Sequence, residues 1–91
     1  MDGRMGKVER AVVAALEAPG CLSPSFMLPA LSTAQLVARC YADGAVTPSR
    51  LVVMRRTVRR LAEAGVVTTH YEGQKGVSGR ETFARLYQPR P

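Results

Sequence analysis

The sequence predicts a mainly α-helical α+β domain, three helices followed by a small β-hairpin, and three observations lead there. Apolar residues recur at helical spacing in three stretches, each bounded by capping or breaking residues. A run of β-branched and aromatic residues begins only after Gly65. The 91 residues are 46% apolar, ordinary for one small globular domain and unlike a disordered chain. Residues 1–91 are read as that single domain, with 1–4 and 88–91 as loose ends.

The first helix is expected from about Met5 to Ala18. Met5, Val8, Val12, Ala15 and Leu16 repeat on one face, and Pro19-Gly20 stops the helix. The segment from Cys21 to Leu31 contains Pro24 and Pro29, which exclude a regular helix and weaken a strand. Yet Leu22, Phe26, Met27, Leu28 and Leu31 are too apolar for a solvated linker. Two readings stay open: a connector packed over the core, or a surface patch for a second subunit. Ser32-Thr33-Ala34-Gln35 fits a capping box, and a second helix follows to about Ala42, with Leu36, Val37 and Cys40 inward.

The third helix has both ends marked. Thr47 is a cap, Pro48 suits the first helical position, and Gly65 can take the left-handed turn that ends it. Leu51, Met54, Val58, Leu61 and Ala62 form the buried stripe. Ser49, Val52, Val53, Arg56 and Arg60 centre the opposite face, with Arg59 on its flank and Arg55 nearer the buried edge. Arg55/Arg59 and Arg56/Arg60 are like-charge i,i+4 pairs, each destabilising an isolated helix by about 0.2–0.5 kcal/mol. Helix-dipole and packing effects do not require four cations in six positions. A polyanion removes the repulsion, so nucleic acid is the leading partner. Beyond this helix, Val66 to Tyr71 is expected as a strand, 72–80 as a flexible glycine-rich loop, and Glu81 to Tyr87 as the returning strand.

Charge agrees with the helix. The formal net charge is +6, carried by eleven arginines and two lysines, which favours phosphate-rich surfaces. No apolar run approaches the roughly 20 residues of a membrane span, and the N-terminus has no signal-peptide core, so a cytoplasmic protein without a membrane partner is expected. Cys21 and Cys40 lack Cys-x-x-Cys spacing and have only His70 beside them, so no metal and no cofactor are expected. Glu63 and Glu81 are isolated acids, and Gly73, Gly76 and Gly79 lack a phosphate-loop sequence. No nucleophile–base set emerges, and the chain is not read as an enzyme. Tyr71, Phe83 and Tyr87 could stack on bases as in single-strand binders, but core and hairpin packing is the simpler account of them.

Two helices joined by a short turn, the second one basic, give the outline of a helix-turn-helix. With a following hairpin, the order resembles the winged helix-turn-helix superfamily of bacterial and phage regulators. The string Arg56-Thr57-Val58-Arg59-Arg60-Leu61-Ala62-Glu63-Ala64-Gly65-Val66-Val67 is similar to the end of a winged-helix recognition helix running into the first wing strand. The resemblance covers roughly residues 5–88. It implies sequence-specific binding of double-stranded DNA, with the helix of about 48–64 in the major groove and the hairpin of about 66–87 on the flanking backbone or minor groove. The chain departs from the pattern in two ways. The distance from Leu36 to Val58 exceeds that of a compact helix-turn-helix, implying a long recognition helix or a break near Arg50. No dimerising helix follows Tyr87, which leaves the first helix and the 21–31 segment as surfaces for a homodimer.

On this reading Ser49, Arg56 and Arg60 make groove contacts, and Val53, with Val52, meets thymine methyl groups or a partner subunit. Arg50 and Arg59, at the flanks, reach the backbone, Arg55 is counted among the DNA-binding residues without a separate role, and Lys75 and Arg80 lie on the wing. Thr33 and Gln35 are either plain capping residues or phosphate contacts at a helix N-terminus. The alternative is a winged-helix module that binds protein without nucleic acid, supported by the apolar 21–31 segment and the Val52-Val53 pair.

Overall fold

The computed structural model describes residues 6–73 and 80–87. Its elements run α1 (Lys7–Glu17), β1 (Leu31–Ser32), α2 (Thr33–Cys40), α3 (Pro48–Glu63), β2 (Val67–Gly73) and β3 (Arg80–Leu86). The three strands form one antiparallel sheet in the order β1-β3-β2. A two-stranded hairpin was the expectation; β1 corrects it to three strands. Leu31 and Ser32 pair with Ala84 and Phe83, a contact with no local signature in a two-residue strand.

α2 and α3 start from side-chain N-caps, and α1, whose N-cap is Gly6, from a return bond to Glu9. Glu9 Oε1 accepts the Gly6 N–H at 2.8 Å at the start of α1. The capping box of α2 forms as read: Ser32 Oγ accepts the Gln35 N–H at 3.2 Å, and Gln35 Oε1 accepts the Ser32 N–H at 2.8 Å. Thr47 Oγ1 accepts the Arg50 N–H at 3.2 Å, and Pro48 opens α3. At its far end Gly65 takes φ 78°, and the Val66 N–H returns to the Leu61 carbonyl at 2.9 Å, the closure of a Schellman turn.

α3 is unbroken for 16 residues, about 24 Å at the α-helical rise, so the long spacing belongs to a long helix and not to a break at Arg50. Its buried residues are Met54, Thr57, Val58 and Leu61. Thr57 was not on the expected stripe. Its hydroxyl donates to the Val53 carbonyl at 2.9 Å, which satisfies the one polar group that burial would strand. Leu51 and Ala62 are half-buried against the core. Val12 and Leu16 of α1, Leu36 and Val37 of α2, and Leu31, Val67 and Ala84 of the sheet complete the core. Cys40 packs against it, and burial pushes its thiol pKa up.

The 21–31 segment lies across the face of the sheet away from the helices, bonded to Glu72 and set against His70. It leaves Leu22, Phe26 and Met27 largely exposed, so it is not packed over the core as a whole. Ser23 anchors it: its N–H donates to the Leu28 carbonyl at 2.7 Å and its Oγ accepts the Leu28 N–H at 3.0 Å. The loop tip is clasped by Glu72, which was assigned to the flexible loop and instead lies buried in β2. Glu72 Oε1 accepts the N–H groups of Ser25 at 2.8 Å and Phe26 at 3.4 Å, and Oε2 meets His70 Nε2 at 2.7 Å. Burial raises the Glu72 pKa, but bonds from the Ser23 hydroxyl, the Ser25 N–H, His70 and the Phe26 N–H outweigh it and hold the group at about 2. His70 lies between the rings of Phe26 and Phe83, at centroid distances of 5.6 and 5.7 Å. The same segment keeps Leu22, Phe26 and Met27 more than half exposed.

Candidate nucleic-acid interface

The turn between α2 and α3 fixes where α3 points. Asp43 Oδ1 accepts the Ala45 N–H at 3.0 Å, and Gly44 takes φ 67° to reverse the chain. Arg50, in the first turns of α3, donates from Nη1 to Asp43 Oδ1 at 2.6 Å and to the Ala45 carbonyl at 2.9 Å. Its guanidinium lies 4.2 Å from the centroid of the Tyr41 ring. The hydrogen bond from Arg50 lowers the Asp43 pKa, and Asp43 raises that of Arg50 in return. Arg50 was expected on the DNA backbone. The structure gives its side chain the task of holding the turn.

The other arginines of α3 divide into two pairs. Arg55 and Arg59 line a cleft of about 460 Å³ between α3 and the β2–β3 hairpin. Arg56 and Arg60 are exposed elsewhere on α3, with neither in the cleft lining. Helical geometry explains the division, since residues four apart stack on one face and adjacent residues sit 100° apart. No carboxylate among the described residues forms an ion pair with any of these four. Ser49 is exposed in the first turn, and Val52 and Val53 are 44% and 42% exposed.

Opposite Arg55 and Arg59 the cleft is lined by Thr69, Tyr71 and Thr82 of the hairpin. Thr33, the first residue of α2, also lines it, and the capping bonds of that helix are made by Ser32 and Gln35 instead. Gln35 is committed to the capping box. Of the two residues expected on the wing, Arg80 opens β3 opposite Gly73, and Lys75 lies outside the described residues.

Two tyrosines correct the packing account. Phe83 is buried, but Tyr71 is 61% and Tyr87 55% exposed, so the core half of that account holds for Phe83 and not for the tyrosines, of which Tyr71 sits in the hairpin opposite Thr82. The signal for Tyr71 was present in the alternation of β2. Val67, Thr69 and Tyr71 share one face of the strand, and only Val67 lies deep enough to be buried. A strand that outruns its helical cover leaves its last inward residue beside solvent.

No helix among the described residues is long and apolar enough to cross a membrane. Comparison with family models, curated proteins and solved structures finds no match.

Proposed function

We propose that this chain is a winged helix-turn-helix protein that binds double-stranded DNA sequence-specifically in the cytoplasm, as a small transcriptional regulator or a phage or plasmid control protein. The observation that carries the reading is the exposed arginine cluster of α3: four cations in six positions, none paired with a described carboxylate. The element order, with β1 joining the hairpin sheet and α3 following a pinned turn, is consistent with that class. Arg56 and Arg60 read base edges, for which a planar guanidinium fork is suited. Arg55 and Arg59 hold the flanking backbone, and the hairpin supports the far side.

Fluorescence anisotropy with a labelled random duplex at several salt concentrations tests the reading. Binding should weaken steeply with salt, because counterions are released from each neutralised phosphate. Against a selected site, Arg56→Ala or Arg60→Ala should lose about 1–3 kcal/mol, and Arg55→Ala or Arg59→Ala should reduce the salt slope by about one. No binding to duplex at low salt would overturn the proposal. One observation favours a second reading, a protein-binding module: the apolar knob of Leu22, Phe26 and Met27 on the back of the sheet. That reading predicts a complex that survives high salt and nuclease.

A further inference from the structure

We infer that the cleft between α3 and the hairpin seats one unpaired nucleotide, at the end of a duplex or at a break in it. The inference rests on the nucleic-acid reading and names a second ligand chemistry within the same interface. A track for duplex backbone requires cations and hydrogen-bond donors only. This cleft has more. Val58, nearly buried, and Ala62, half-buried, give it an apolar floor, and Tyr71 stands 61% exposed at its edge. Glu63 also lines it, and a carboxylate has no use beside a bare phosphate track.

A nucleotide matches all four features together. Its phosphate pairs with Arg55 and Arg59, its planar base stacks on Tyr71 above the apolar floor, and Glu63 accepts from an exocyclic amine. Thr69 and Thr82 supply hydroxyl groups for the sugar and phosphate. The volume of about 460 Å³ falls in the range of sites that take a single small ligand.

The test compares two labelled duplexes of one sequence, one blunt and one with a three-nucleotide single-stranded overhang, by anisotropy at fixed salt. The overhang should raise affinity about fivefold or more, the low end of what stacking one base supplies. Tyr71→Ala should abolish the difference between overhanging and blunt duplex with the thermal melt unchanged, and Tyr71→Phe should keep it. An adenine overhang should gain more than a thymine overhang, which has no exocyclic amine for Glu63. Equal binding of blunt and overhanging duplex would overturn the inference while the duplex reading stood. No binding of either would remove both. Excess deoxyadenosine monophosphate should compete the gain away, and a gain that survived it would overturn the assignment of the unpaired nucleotide to the cleft.

Discussion

The helix-facing side of the sheet carries Leu31, Val67 and Ala84, all buried and all apolar, whereas the opposite side carries His70, Glu72 and Phe83 beneath the 22–29 segment. On the first side the helices close the surface by burial, which is tolerant of direction. On the second a short irregular segment cannot bury enough surface, and directional bonds to one carboxylate hold it down. Three N–H or hydroxyl donors of the segment and one imidazole converge on Glu72. The same sheet is therefore held by forces that respond differently to truncation, pH and salt.

The largest break comes from the apolar side. Leu31→Ala should lose about 2–5 kcal/mol in urea unfolding, as expected for a fully buried leucine, with little change in its pH dependence. The intermediate effect is on the clasp. Glu72 has its folded pKa lowered from 4.5 to about 2, so its contribution is fully present above the unfolded value and is lost as pH falls from 4.5 toward 2. Thermal melts from pH 6 to pH 2 should show that acid limb, and Glu72→Gln should be less stable at neutral pH with a flatter limb. An unchanged limb in Glu72→Gln would show that the acid lability lies elsewhere. The smallest change is Ser25→Ala, which removes only the exposed 3.2 Å bond to the Gly73 carbonyl and keeps the backbone donation to Glu72. It should shift stability by about 0.5 kcal/mol or less.

The same division governs what could be read from the sequence. The caps at Ser32 and Thr47 and the stop at Gly65 were legible because each is settled within about one helical turn. The core positions Val12, Leu16, Leu36, Met54 and Leu61 followed from their spacing. Glu72 was not legible. It stands just before a glycine-rich run, and its loop partners Ser25 and Phe26 lie 47 and 46 residues away. β1 escaped for the same reason, since its strand partners among the described residues lie in β3. Within the candidate interface the arginine cluster was evident, but its separation into cleft and open-face pairs depends on where the hairpin lies. Arg50 illustrates the limit of counting charge: its occupation by Asp43, Ala45 and Tyr41 is a matter of turn geometry.

That pinned turn has a thermodynamic consequence. Arg50 is a long, rotamer-rich side chain already immobilised by three neighbours, and α3 is capped and continuous before any ligand arrives. The ordering entropy of the interface scaffold is thus settled during folding, so a partner meeting α3 should dock nearly as onto a rigid body. The heat-capacity change of association should then track the surface buried at the contact, without the larger signature of a segment that folds as it binds.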